Sequence, residues 1–257
     1  MKHLSLALLG LVTASCAAPP QESGWRSIFD GRTLAGWTPK ITGYALGEDP
    51  MRTFSVRDGA IRVSYDNYGG RFGGRFGHLA FEQPASAFRI RFEYRFSGTW
   101  LPDVENWQHS NSGLMFLAQP PQSMTRDQKF PVSMELQLLG PGGPLPTTGN
   151  LCTPGTHVVM NGKLETEHCI GSSRPPIPNG NWVKVEVEVD RDGNIAHFIE
   201  GAPVMRYGGA QYDPTDDDAK PLLMAAGGNL RVERGWLYLQ SEGHPVEFRN
   251  IALRELD

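Results

Sequence analysis

Glu135 and Gln137 stand two residues apart in an alternating stretch and so point to one face of a strand. A carboxylate beside an amide can hydrogen-bond vicinal hydroxyls, which makes the pair a sugar platform. The alternative is a solvated outer face. Trp100 and Trp107 lie in a polar loop, where an aromatic face can stack on a pyranose ring or simply anchor the loop. His78, His109, His157, His168 and His244 are each able to serve as a general base, because a free imidazole titrates near working pH. Each also reads as a structural or solvated histidine. His197, inside an alternating strand, is a weaker candidate still. Retaining glycoside hydrolysis needs two carboxyls about 5–5.5 Å apart. The strand around Glu135 carries one, so a second would have to come from Glu93 or Glu242 on a neighbouring strand. Asp103, Glu105, His109 and Glu135 are a speculative set for a divalent cation, with no ligand spacing that demands one. The sequence contains no nucleophile elbow, P-loop, H-E-x-x-H or dinucleotide fingerprint.

The elements that must carry these residues read as strands. Thirty glycines and twenty prolines make up about a fifth of the 257 residues, which disfavours long helices. Six Trp, seven Tyr and twelve Phe are enough to fill a core, so the chain is not of disordered type. Period-two alternation runs through 88–96, 132–138 and 183–190, and shorter strands are expected at 54–57, 60–65, 113–118, 157–160, 195–199, 236–240 and 246–254. Asp58-Gly59, Asn161-Gly162 and Asp192-Gly193 supply hairpin turns. The expected architecture is an all-β sandwich or jelly roll, with one helical turn at most in 213–226. Long loops at 97–112, 119–131 and 140–156 are placed to wall a site. The duplicated GGRFGGRFG run at 69–77 reads as a flexible strand entry, or as a glycine loop whose arginines take an anion.

Charge and cysteines suggest an address. The formal charge of −4 and the lack of a basic stripe argue against a nucleic-acid partner. Leu4 to Val12 is apolar but too short to span a bilayer, and small residues lead into Cys16. The pattern resembles a bacterial lipoprotein signal over 1–15, with Cys16 lipidated, a tether over 16–24 and one domain over 25–257. Ordinary secretion with cleavage just after Cys16 is the alternative. Either way the chain would be exported to the periplasm or outer membrane, touching a membrane only through lipid. With Cys16 lipidated, Cys152 and Cys169 are left to pair in an oxidising compartment.

Five segments in order carry a family resemblance: 27–37 opening on Ser-Ile-Phe-Asp-Gly and closing on Gly-Trp, Asn111 to Phe116, Glu135 to Leu139, Asn179 to Trp182 with its valines, and Leu239 to Ile251. Together they resemble the DUF1080, or 3-keto-disaccharide hydrolase, family over nearly the whole chain. Gly140 and Leu117 stand where the family has Asp and Arg. The resemblance implies a concanavalin A-like jelly roll of two antiparallel sheets acting on glycosides oxidised at C3. A 3-keto group acidifies the C2 proton; a base removes it, the C1 substituent leaves, and water adds. This route dispenses with a glycosyl-enzyme intermediate. The implied constellation is Glu135, His109, His157 and Glu242 for catalysis, with Gln137, Asn111, Trp100, Trp107 and Arg249 on substrate or orienting a carboxylate. A divalent cation on the 3-keto oxygen is a further option. Two competing functions are a non-catalytic, lectin-like carbohydrate-binding lipoprotein and a conventional glycosidase.

Overall fold

The structure is a computed structural model and describes residues 23–256. The leader, the lipidation site at Cys16 and most of the tether lie outside the described residues. Two antiparallel sheets face each other. The larger contains β1 (Arg26–Ser27), β3 (Phe54–Arg57), β4 (Ala60–Val63), β6 (Phe88–Phe96), β10 (Thr156–Met160), β11 (Lys163–Glu165), β13 (Val183–Val189), β14 (Asn194–Ile199), β15 (Ala202–Tyr212) and β17 (Val246–Glu255). Its order is β11-β10-β15-β14-β13-β6-β17-β4-β3, with β1 also on β17. The smaller contains β2 (Trp37–Ile41), β5 (Gly77–Phe81), β7 (Asn111–Ala118), β8 (Met134–Leu139), β9 (Asn150–Cys152), β12 (Cys169–Ile170) and β16 (Trp236–Ser241). Its order is β12-β9-β8-β7-β16-β5-β2. One short helix, α1 (Lys220–Ala225), and two 3₁₀ turns complete the described elements. The expected all-β jelly-roll sandwich is what forms.

Alternation explains how the sheets meet. On β6, Phe88, Ile90, Phe92, Tyr94 and Phe96 are buried, and the intervening Arg and Glu residues are half-buried. Val183, Val185, Val187 and Val189 do the same on β13. From the smaller sheet come Leu79, Leu114, Phe116, Leu136, Leu138, Leu237 and Leu239, all fully buried in the same core. Each such side chain contributes roughly 1.5–3 kcal/mol by leaving water. The outward face of the larger sheet is laced with ion pairs: Arg89 with Glu186 and Glu188, Arg95 with Glu247, and Arg249 with Glu93.

The smaller sheet is buried on both faces. Every residue of β5, β7, β8 and β9 is buried, because the loops at 97–112 and 119–131 fold over its outward side. The duplicated run at 69–77 is ordered by packing. It drives Phe72 and Phe76 into the core, edge to face at 5.0 Å. The anion on its backbone amides is internal: Asp103 accepts from the N–H of Phe72 at 2.7 Å and of Gly73 at 3.0 Å. Gly140 is required where it stands, since a Cβ there would lie 2.2 Å from Asn179 Oδ1 and 2.8 Å from Ser110 Cβ. The Asp of the resembling family has no room in this packing.

Candidate active site

The outward face of the smaller sheet holds a polar row. Period two fixes which residues share that face: Leu136 and Leu138 turn to the core, so Glu135 and Gln137 turn away from it. By the same logic Asn111 and Gly113 face outward from β7, Gln240 from β16, His78 from β5 and Lys40 from β2. Strand pairing sets them side by side. Lys40 opposes His78, His78 opposes Gln240, Gly113 opposes Gln137, and Gln137 opposes Asn150. Leu239 opposes Leu114, which brings Gln240 next to Gly113. Glu135 opposes Cys152.

A cavity of about 420 Å³ opens on this row, lined by Asn111, Glu135, Gln137 and Glu242 together with Trp107, Phe130, Pro144, Leu145, Pro154, His168, Cys152 and Cys169. The loops at 97–112, 119–131 and 140–156 supply most of its walls. A groove of about 410 Å³ on the larger sheet is lined by Arg91, Glu93, Lys184 and Glu186, and there Glu93 and Glu186 are already paired to arginines.

Glu135 and Glu242 are 6% and 3% exposed, so Glu135 does not lie on a solvated outer face. Desolvation by burial pushes the Glu135 carboxyl up to about 8. Burial pushes Glu242 well above the ordinary carboxylate range, and the charge of Glu135 raises it further. Two buried carboxyls that each disfavour the other's ionisation hold protons as a pair. Gly113 makes room for this: a Cβ there would lie 2.2 Å from Glu135 Oε1, so the Glu135 side chain lies across the glycine. Gln108 Nε2 donates to the Glu242 backbone carbonyl at 2.8 Å and fixes that turn.

The amides have assigned directions. Asn150 Nδ2 donates to Gln137 Oε1 at 3.1 Å, which leaves the Gln137 amide nitrogen to donate into the cavity. Asn111 Nδ2 donates to the Trp107 carbonyl at 2.8 Å, which leaves its buried Oδ1 without a partner. Glu242 Oε2 is likewise buried and unpartnered. Trp107, 40% exposed, stacks on Phe76 at 5.9 Å and forms the rim.

Other residues expected at the site lie elsewhere. His157 is on β10 of the larger sheet, 3.4 Å from Asp213, and does not line the cavity. Arg249 does orient a carboxylate, but that of Glu93 on the outer face of the larger sheet, where it also stacks 3.9 Å from the Trp182 ring. That pairing also removes Glu93 as the second acid. Trp100 stacks on His109 at 4.1 Å and meets the His244 ring at 5.5 Å, so these three make a cluster beside the cavity and not its lining. His244 Nδ1 accepts from the Ser110 N–H at 2.9 Å, and burial lowers its pKa to about 4. His197 is a core residue bonded to Tyr207 Oη at 2.8 Å. No group of three or more His, Cys, Asp or Glu side chains is arranged to hold a metal among the described residues, and Asp103 is engaged by the Phe72 and Gly73 amides. Cys152 and Cys169 form a disulfide between β9 and β12 and wall the cavity. Sequence reasoning missed Lys40, Gln240 and Phe130; for Lys40 and Gln240 the signal was a polar residue opposite His78 on each neighbouring strand, and Phe130, in a loop, carries no such signal.

Known proteins share this family and fold. The chain is 24% identical to a 3-keto-disaccharide hydrolase of Bacteroides thetaiotaomicron, over 95% of its own length and 82% of that protein's. A Parabacteroides distasonis protein provisionally named a glycosyl hydrolase superimposes with a TM-score of 0.51 at 20% identity, covering 91% of this chain and 94% of that one. A Bacillus subtilis protein with a galectin-like fold superimposes with a TM-score of 0.51 at 11% identity, covering 86% and 90%. The family model described as a 3-keto-α-glucoside-1,2-lyase-like domain matches residues 24–254, and the chain belongs to that family.

Proposed function

We propose that the protein cleaves 3-keto-glycosides by elimination and hydration at the Glu135–Glu242 pair. The observation that carries this reading is the pair itself: two buried carboxyls with raised pKa values in one cavity, beside an amide donor and a carbonyl acceptor. Ionisation of one member gives a base next to an acid. The base takes the C2 proton of the bound sugar, activated by the C3 carbonyl. The N–H of Gln137 suits the developing enolate oxygen, and Asn111 Oδ1 suits a sugar hydroxyl. The protonated partner gives its proton to the glycosidic oxygen as the C1–O bond breaks. Water then adds across the C1–C2 double bond, its oxygen to C1 and a proton to C2, and the net reaction is hydrolysis. Trp107 and Phe130 offer ring faces to the sugar and limit water.

Incubation with a 3-keto-glucoside and its unoxidised parent tests this. Aglycone release from the oxidised substrate alone, with solvent deuterium entering C2 of the product, is the expected result. Retention of the original C2 hydrogen would overturn the elimination. Binding of both sugars with cleavage of neither would make the protein a lectin. Glu135→Gln is expected to lower kcat by about 10²–10⁴, the usual contribution of a positioned acid or base. We further propose that the chain is exported and lipid-anchored at Cys16; the Cys152–Cys169 disulfide suits an oxidising compartment, and the mass of the mature N-terminal peptide checks it.

A further inference from the structure

The polar row does not end at the cavity. Beyond Gly113 it continues to Gln240 and His78, which face the same side of the sheet as Glu135 and are 0% and 1% exposed. Both amide atoms of Gln240 and Nε2 of His78 are buried without a hydrogen-bond partner. Buried polar atoms are almost always satisfied, and leaving them bare costs stability. Three such atoms on adjacent strands, next to Asn111 Oδ1 and Glu242 Oε2 in the same condition, form one unsatisfied surface.

Its cover is aromatic. The Phe130 ring lies 5.9 Å from the His78 ring and 4.9 Å from Phe76, which in turn stacks on Trp107. Phe130 also lines the Glu135 cavity, so one ring lies against both His78 and the open site. A neutral sugar ring matches this chemistry. Its hydroxyls are both donors and acceptors, as an amide and an imidazole require, and its C–H face suits aromatic rings. The segment carries no free cation: Lys40 Nζ donates to the carbonyls of Ile41 at 3.2 Å and Arg126 at 2.9 Å. Burial and that ammonium hold His78 neutral, with a pKa lowered to about 3.

We propose that Gln240 and His78 form a second sugar subsite, reached when the Phe130 ring turns aside, which takes hydroxyls of the second ring of a 3-keto-disaccharide. This rests on the reading of Glu135 and Glu242 as the reacting pair, because it places the second ring beside them.

The test compares Gln240→Leu with wild type on a 3-keto-disaccharide and on methyl 3-keto-glucoside. The amide makes no hydrogen bond within the protein, so the melting temperature is expected to hold or rise. The KM for the disaccharide is expected to increase at least tenfold more than that for the methyl glycoside. His78→Leu supplies the same comparison from the neighbouring strand should Gln240→Leu fail to fold. Equal losses on both substrates would move these residues to the reacting pair and overturn the subsite; no loss on either would mean that the row holds water alone. Calorimetric titration with an unoxidised glucose disaccharide separates the two readings. If the wild type turns over neither oxidised substrate, the catalytic reading fails. Binding of the disaccharide that Gln240→Leu weakens tenfold would still support the subsite, and binding that it leaves unchanged would overturn it.

Discussion

A carboxyl that binds its proton more tightly in the folded chain than in the unfolded one makes stability depend on pH in a fixed direction. For Glu135 and Glu242 the raised pKa means that their contribution is complete below the ordinary carboxylate range and is lost as pH rises towards about 8 and beyond. Buried His78, His197 and His244 act oppositely, with pKa values lowered to about 3, 4 and 4. The unfolded chain takes up their protons first, so their contribution is full above about pH 6.5 and fades as pH falls towards 4. Among these groups, only the carboxyl pair acts between pH 6.5 and 8. The stability is therefore expected to fall across that window, by at most about 1.4 kcal/mol per pH unit for each group, and the melting temperature with it, and Glu135→Gln is expected to lessen the fall. Calorimetric scans of both proteins check it. Activity has the matching profile: kcat/KM should climb as pH approaches about 8, where the pair first yields a carboxylate. The pair was half legible beforehand. Glu135 and Gln137 stood out because their strand alternates cleanly, and Glu242 entered as one of two possible second carboxyls. Burial decides between it and Glu93, and burial depends on which loops cover the sheet.

Among the elements, β7 and β8 build the site by a size mismatch. Glu135 lies where a side chain on Gly113 would be, so Gly113→Ala forces either the carboxylate or the strand to move. The expected result is a loss of at least tenfold in kcat, from misplacement of the base by a fraction of its reach, with the fold retained by far-ultraviolet circular dichroism. Elements with clean alternation were readable: β6 spans the expected 88–96, and β13 fills the expected 183–190 to within a residue. Some without it were not. β5, Gly77 to Phe81, is buried at every position, so no alternation marked it as a strand or His78 as facing the site. β15 is eleven residues long but carries Gly208 and Gly209, which break the pattern and accompany a register shift against β10. His157 and Arg249 were expected at the site and lie away from the cavity for a related reason. A polar residue alternating along a strand reads the same whichever sheet that strand joins, and both lie on the larger sheet, away from the cavity.

For the molecule as a whole, the disulfide ties a two-residue edge strand to the site. β12 pairs with β9 through Cys169 opposite Cys152, and both cysteines wall the cavity. Replacing both by Ser is expected to lower stability by about 2–5 kcal/mol, read as a lower denaturant midpoint. The sandwich class followed from composition and period two. The sheet membership of each strand did not, because it is set by pairings between residues far apart in the chain. The most consequential of these pairings involves β17, the last strand described. It lies between β6 and β4 inside the larger sheet and also takes β1 on its flank, Arg26 against Leu253. A growing chain therefore cannot close its main sheet until β17 has been made. β6 waits with one bare edge through the synthesis of some 150 residues, and β4 through more. Such a fold is non-local by construction and slow to complete. Until β17 arrives, the strands already made carry an open, aggregation-prone edge.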